Sequence, residues 1–278
     1  PIPPEQVVGV VVTALGFGAL TRLSEMSSLW SNLTSLLWYL ALALALVDMA
    51  QHRYSPVVPI RNVGIFLLLL VTLAGSSVIW SISPTTTLYE TAALAATCYL
   101  GGYVGAALGP VRACRYGVWA AAAVVATSLA LVAAGVRWAT GSDGSALGLL
   151  THRNSLGATA GLGLVLAASV QGVSNRSRMF LLVTCGAGLV ASGSRTAQVA
   201  AVVALSVMWI ARVFRKGRTV GLAVTFLSGA LATLAWASFG GFGWARQGLG
   251  KSETLTGRTE IWNMVLSTTS NHRFVGLG

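Results

Sequence analysis

Two arginines lie where this chain offers the clearest prospect of chemistry. Arg195 stands in a short polar break, 192–196, between two apolar blocks. Arg258 begins a stretch in which Trp262 and other apolar residues share one helical face, which predicts a short interfacial helix near 257–269. A guanidinium grips phosphate oxygens through paired hydrogen bonds and stays charged. The pair predicts a site for a lipid-linked phosphate or pyrophosphate, whereas separately each arginine is an ordinary headgroup anchor or solvated surface residue.

Four further polar residues, and Trp262 of the expected interfacial helix, are secondary candidates for this site. His152, Arg153 and Asn154 precede the sixth apolar block. His152 is either a base or a polar residue flanking a helix, and the second interpretation is favoured. Of the seven acids, Glu90 is the one expected inside a helix. There it either snorkels or pairs with an outer arginine, which is the favoured interpretation, or it serves a catalytic role. No His, Cys, Asp or Glu cluster has the spacing of metal ligands, so neither a metal site nor a cofactor is predicted.

The composition places these residues in a membrane protein. Of 278 residues, 55% are hydrophobic and only 9% are charged, and the mean hydropathy is +0.74. Soluble domains carry about 25% charged residues. This excludes a soluble enzyme, a nucleic-acid-binding domain and a disordered protein. The net charge of +11 lies mostly in short loops between apolar blocks, and the three scattered cysteines fit neither a disulfide framework nor a zinc site.

Long apolar blocks predict an all-α, polytopic bundle of membrane-spanning helices. The nine expected spans are 7–20, 29–47, 63–80, 88–108, 117–136, 155–173, 179–190, 196–213 and 220–239. They form a transmembrane domain over 1–239, and residues 240–278 begin a large loop. Glycines spaced four apart predict close helix packing. These are Gly101, Gly105 and Gly109, and Gly157 with Gly161.

Basic residues set the expected orientation. One alternate set of short loops holds ten Lys and Arg residues, and the short loops of the other set hold four. Cytoplasmic loops are the ones enriched in Lys and Arg. The N-terminus is therefore predicted to be cytoplasmic, and the segment after residue 239 to be extracytoplasmic. Arg195, Arg258 and residues 152–154 then share the outer face.

Several stretches resemble the O-antigen ligase and O-antigen polymerase superfamily of bacterial membrane glycosyltransferases. They are 80–84 (WSISP), 152–157 (HRNSLG), 192–196 (SGSRT), 254–262 (TLTGRTEIW) and 274–278 (FVGLG). The resemblance implies about twelve spans, a large outer loop after the ninth, and a glycan donor linked to polyprenyl (undecaprenyl) pyrophosphate, without a metal. It implies that Arg195 and Arg258 hold the pyrophosphate. The family's catalytic histidine is expected beyond Gly278, so the chain is expected to end within the large loop.

The leading hypothesis is therefore a metal-independent glycosyltransferase in the bacterial cytoplasmic (inner) membrane. It would ligate or polymerise the lipid-linked glycan onto a hydroxyl of a glycan or lipid acceptor, with no nucleic-acid partner. The alternative is a transporter that flips lipid-linked oligosaccharide, which requires a charged cavity across the bilayer, whereas the inner halves of these spans are almost uniformly apolar. A third hypothesis is a structural subunit without a ligand, and under this hypothesis the outer arginines tolerate replacement.

Overall fold

The computed structural model describes residues 4–16, 27–52, 64–142 and 144–214, and positions 25, 217, 264, 265 and 267. Regular structure in this part of the chain is helical. A single isolated β-bridge, between Thr140 and Ala146, lies in a loop. The all-α prediction is confirmed for the described residues.

Seven α-helices and two short 3-10 helices, Ser77–Trp80 and Arg137–Ala139, have bounds in the described fold. The α-helices carry the numbering used below. They are α1 (Pro4–Gly16), α2 (Ser28–His52), α3 (Ile65–Ser76), α4 (Pro84–Ala133), α5 (Arg153–Ser169), α6 (Asn175–Ala191) and α7 (Arg195–Phe214). Within the described ranges, three stretches are long and apolar enough to cross a membrane: Ser28–Asp48 of α2, α4 and α7. The count of nine spans stays a prediction, and the ninth, 220–239, lies outside the described residues.

Helix α4 is two helices joined at Gly109. Its 50 residues would rise about 75 Å, far more than the roughly 30 Å hydrocarbon core. Gly109 breaks it with φ 70° and ψ 162°, and Pro110 starts the second part. Proline suits the first turn of a helix, so 110–133 begins at Pro110 instead of after a loop. The expected loop at 109–116 is therefore wrong, and Arg112 and Arg115 are helical.

Proline also explains why α4 begins at Pro84, four residues before the expected start of the fourth span. Before and within the first turn of α4, serine and threonine hydroxyls form hydrogen bonds with one another and with backbone amides. Ser81 Oγ accepts from the Ser83 amide at 3.0 Å and lies 2.7 Å from Thr87 Oγ1. The seventh expected span is likewise longer than predicted, because α6 extends beyond 179–190 in both directions.

The helices fall into two compact units. The first comprises the described parts of 1–75 and 88–202, and the second those of 76–87 and 203–278. In the first unit, α1, α2 and residues 100–108 share a core that contains Val8, Ala45 and Tyr103.

The Tyr103 hydroxyl donates to Asp48 Oδ2 at 2.6 Å, and Asp48 is 2% exposed. Glu90 is therefore not the one acid within a helix, because α2 continues past the expected end at residue 47 and encloses Asp48.

The first unit has a further core where residues 110–133 meet α5, α6 and α7. Val125, Leu156, Ala160, Leu189 and Ala201 are buried there, and α5 packs along α6. Small residues permit this packing, since a Cβ at Gly163 would lie 2.8 Å from Cys185 Sγ. By contrast, no described atom lies within 4 Å of a Cβ built at Gly101, Gly105 or Gly109. These glycines do not mark a close helix contact in the described part of the chain.

Candidate functional site

The loop between α4 and α5 folds against the helix ends. Its Leu147 and Gly148 amides both donate to Ala139 O at 2.9 Å, and the Ala146 amide donates to Ala191 O at 3.0 Å. The hydroxyl of buried Ser128 accepts from the Leu149 amide at 3.1 Å. Gly148 sits so close to Ser128, at φ 63°, that no side chain fits there. These hydrogen bonds pair backbone amides and carbonyls of the loop, which would be unfavourable to leave unpaired in apolar surroundings.

The turn before α7, residues 192–194, is held from within and from α5. We call it the serine turn. Ser192 Oγ donates to Leu189 O at 2.8 Å and accepts from the Ser194 amide at 3.2 Å. Gly193 adopts φ 61°, a left-handed conformation that suits glycine. The two serine side chains are buried, at 0% and 2% exposure, so this turn is a fixed part of the fold.

Helix α5 meets the serine turn through Asn154 and Gly157. The Ser194 hydroxyl donates to Asn154 Oδ1 at 2.9 Å. A Cβ at Gly157 would lie 2.7 Å from Ser194 Cβ, 2.9 Å from Ser192 Oγ and 3.0 Å from Ala197 Cβ. The predicted close approach at Gly157 is confirmed, and it brings the beginnings of α5 and α7 together.

Each of these two helices begins with an arginine, Arg153 in α5 and Arg195 in α7. Both side chains are exposed. Among the described residues, the Arg195 guanidinium has no hydrogen-bond or ion-pair partner. Helix N-termini carry a partial positive charge that favours anions. Two arginines on two adjoining helix N-termini therefore make an electrostatic setting for phosphate oxygens.

The other predicted site residues are only partly joined to this arrangement. His152 occupies the N-cap position of α5 without a side-chain capping bond and is exposed, which fits the helix-flanking interpretation. Glu90 is exposed on α4, and nothing in the described contacts links it to the serine turn. Arg258 and Trp262 lie outside the described residues. Nearby Met264 and Val265 are helical and exposed, and Ser267 is also helical.

Metal ligands do not gather in the described part of the chain. It holds no group of three His, Cys, Asp or Glu side chains that could bind a metal ion. The acids of the tail, Glu253 and Glu260, lie outside the described residues.

Sequence reasoning missed the residues that position Arg195. Ser192 and Ser194 stand in the sequence as small polar residues between two apolar blocks. A signal was present in Ser194, because serine immediately before a helix is a common N-cap. Its hydroxyl lies 3.5 Å from the Ala197 amide, as an N-cap hydroxyl does, while donating to Asn154. The partner on α5 is 40 residues away, and no local pattern indicates it.

Comparison with known proteins bears on the C-terminal third of the chain. Residues 180–278 match the O-antigen ligase family model. The resemblance to the O-antigen ligase superfamily is confirmed over these residues, which contain the serine turn, Arg195 and Arg258. The O-antigen ligase match supports glycan transfer of the ligase or polymerase type, and the apolar helices support a membrane location. Neither a curated protein nor a solved structure matches the chain.

Proposed function

We propose that this protein transfers or polymerises a polyprenyl-pyrophosphate-linked glycan onto an acceptor hydroxyl at the outer face of the bacterial cytoplasmic membrane. The O-antigen ligase match gives the reaction class. The site chemistry supports the donor class, because Arg153 and Arg195 combine positive charge with two helix N-termini. Pyrophosphate is the lipid-linked group that such a site fits.

The reaction needs two contributions from the protein. The acceptor oxygen attacks the anomeric carbon of the donor sugar, and the bond from that carbon to the pyrophosphate oxygen breaks. Negative charge grows on the departing pyrophosphate, and arginines already in place stabilise it without reorganisation. A base must take the proton of the acceptor hydroxyl. Arg195, and Arg258 with it, would provide the first contribution.

The observation that carries the proposal is the exposed Arg195 directly after the buried serine turn. A headgroup anchor needs no such support, since a flexible arginine reaches headgroups from any helix end. Here Ser192, Ser194 and Asn154 fix the backbone that presents the guanidinium. A fixed backbone reduces the entropy lost when a ligand is gripped.

The test uses full-length protein in detergent with a purified lipid-linked glycan and its acceptor. Product formation is measured for wild type, Arg195→Ala, Arg195→Lys and the control Arg137→Ala, which removes an exposed arginine from the same loop region. We expect Arg195→Ala to lower the transfer rate at least 30-fold, since losing one partner of a close charged contact costs about 2–5 kcal/mol. Lysine should rescue poorly because it lacks the planar fork.

The same assay separates an enzyme from a flippase. A detergent micelle has no second side, so a flippase yields no new glycosidic product there. Product in micelles from wild type, with a rate at least 30-fold lower from Arg195→Ala, supports the proposal. Lipid-glycan transport in vesicles with no product in micelles would favour the transporter, and full activity of Arg195→Ala would contradict the arginine's role.

A further inference from the structure

Four arginines gather where residues 110–133 and α6 begin. Arg112 and Arg115 lie in the first two turns of 110–133, and Arg176 and Arg178 lie in the first turn of α6. The outer pair, Arg112 and Arg176, is exposed, and the inner pair, Arg115 and Arg178, is half-buried. The proposed glycan-transfer site uses none of them.

The inner pair is fixed on one loop. Arg178 Nη2 donates to Val170 O at 2.9 Å, and Arg115 Nη2 lies 3.5 Å from Gln171 O. These are consecutive carbonyls just beyond α5. The Nε atom of each arginine is buried without a hydrogen-bond partner in the described part of the chain. A guanidinium has five donors. Arg178 is therefore anchored by a hydrogen bond and Arg115 by a longer contact, and each guanidinium keeps Nη donors to spare.

No acidic residue of this region balances the four charges. The sequence contains no Asp or Glu in 91–142 or in 144–214. In the described residues, neither Arg112 nor Arg176 has a hydrogen-bond or ion-pair partner. Four positive charges around one loop attract an anion that the described residues do not supply.

An exposed aromatic pair lies beside the arginines. Trp119, on 110–133, stacks on Phe180, on α6, with ring centroids 6.3 Å apart and planes at 28°. Their exposures are 42% and 53%. Residues four apart on a helix are neighbours, so Trp119 adjoins Arg115 and Phe180 adjoins Arg176. We call Arg112, Arg115, Arg176 and Arg178 with these two rings the arginine–aromatic seam.

We propose that the arginine–aromatic seam binds an anionic phospholipid. Its phosphate would lie against the free Nη donors of Arg115 and Arg178, and an acyl chain would run across Trp119 and Phe180. Basic pockets between membrane helices bind anionic headgroups in this way, and aromatic rings mark the depth where headgroup meets chain. A soluble phosphate would use the charges but leave the aromatic pair without a role. The loop charge count predicts the cytoplasmic leaflet as its location.

Native mass spectrometry and thermal denaturation of full-length protein in neutral detergent test the proposal. The probes are dioleoyl phosphatidylglycerol, dioleoyl phosphatidylcholine and soluble glycerol phosphate. Wild type should bind phosphatidylglycerol with an affinity above that for phosphatidylcholine, and its Tm should rise only with phosphatidylglycerol. Equal binding of both lipids, or an equal Tm rise with glycerol phosphate, would overturn a phospholipid site.

Variants locate the site. A basic residue near anionic lipid contributes about fivefold in affinity, so Arg115→Gln with Arg178→Gln should weaken phosphatidylglycerol binding roughly 25-fold. Trp119→Ala with Phe180→Ala should also weaken it. Arg137→Gln is the matched control, because it removes an exposed arginine from the loop after residues 110–133 and should leave binding unchanged.

A second double variant covers the case in which loss of the backbone contacts prevents folding. Arg112→Gln with Arg176→Gln removes two exposed charges that hold no backbone carbonyl in the described contacts. It should fold normally and lose phosphatidylglycerol affinity by a similar factor. Unchanged affinity in this folded variant would overturn the site, because two of its arginines would then contribute nothing. An equal loss in Arg137→Gln would also overturn the site, because it would reduce the effect to overall charge. Glycan transfer is not measured, so the outcome is independent of the proposed enzyme activity.

Discussion

The Ser194 hydroxyl donates a hydrogen bond to Asn154 Oδ1 at 2.9 Å and so joins the serine turn to the first turn of α5. Ser194 is 2% exposed, whereas Asn154 is exposed at the end of its helix. Arg195 follows Ser194 directly, and Arg153 precedes Asn154. This hydrogen bond, together with the close packing at Gly157, joins the two helix N-termini on which the proposed pyrophosphate site depends.

Substitution of Asn154 should separate positioning from charge. Asn154→Ala leaves the buried Ser194 hydroxyl without its acceptor, so we expect a loss of about 1–3 kcal/mol in the free energy of unfolding. Asn154→Asp keeps an acceptor oxygen but adds a negative charge beside the arginines. It should retain a near-wild-type Tm and raise KM for the lipid-linked donor more than it lowers kcat. Unaltered KM in a folded Asn154→Asp variant would argue against an anion beside this residue.

Gly157 offers a matched pair with Gly186. A methyl group at Gly157 would meet Ser194 and Ser192, whereas no described atom lies within 4 Å of a Cβ at Gly186. We expect Gly157→Ala to lower stability by about 1–3 kcal/mol and to reduce transfer by displacing the serine turn. Gly186→Ala should be neutral or stabilising by up to about 1 kcal/mol, as alanine is the better helix former. Thermal denaturation in detergent and the transfer rate check both, and a similar Tm for the two variants would contradict the predicted clash.

Local patterns predicted the helices well and the breaks between them less well. Each of the helices α1 to α7 overlaps a predicted apolar block, because a helix that spans a bilayer needs a long apolar segment. The predicted helix starts near Pro84 and Pro110 came too late in the chain. The polar or charged residues after each proline indicated a loop, whereas proline stands in the first turn of a helix at both positions. Asp48 was missed for a related reason. Its carboxylate is tolerated inside α2 because Tyr103, 55 residues away, donates to it.

For the candidate site, the sequence likewise indicates individual residues but not the contacts between them. Arg195 and the 152–154 cluster could be named from residue type, because arginine on an outer hairpin runs against the charge bias of membrane loops. Their connection through Ser194 could not be predicted from the sequence, since it depends on how α5 and α7 pack. Gly157 was identified as a packing residue, but the sequence does not say that its partner is a turn rather than a helix.

The orientation predicts which residues an impermeant reagent can reach. With Cys98, Cys114 and Cys185 replaced by serine, Ser142→Cys lies in the exposed loop after α4 and Asn175→Cys at the exposed start of α6. Intact cells should label the first with a membrane-impermeant maleimide, and only lysed cells should label the second. The opposite pattern would reverse the topology and move Arg195 to the cytoplasmic face.

Glycan transfer should survive metal chelation. The seven acids are scattered along the sequence, and the leaving group is already a pyrophosphate, so arginines can meet the developing charge. We expect full-length protein to retain its transfer rate in EDTA with a lipid-linked donor. Rescue of a lost activity by Mg²⁺ or Mn²⁺ would instead indicate an acid cluster, for which Glu90, Glu253 and Glu260 are the residues to substitute first.

Arg195 and Arg258 should act as a coupled pair if one pyrophosphate contacts both. Loss of either contact costs about 2–5 kcal/mol, which corresponds to roughly 30- to several-thousand-fold in transfer rate. Groups that act as a unit are non-additive, so the double alanine variant should lose much less than the combined single losses. Wild type, both single variants and the double variant are compared at matched protein levels, with membrane insertion as the folding control. Arg195 is exposed at a helix start, so its removal should leave insertion unchanged. Strictly additive losses would place the arginines at separate steps, and near-wild-type transfer by either single variant would leave that arginine as a headgroup anchor.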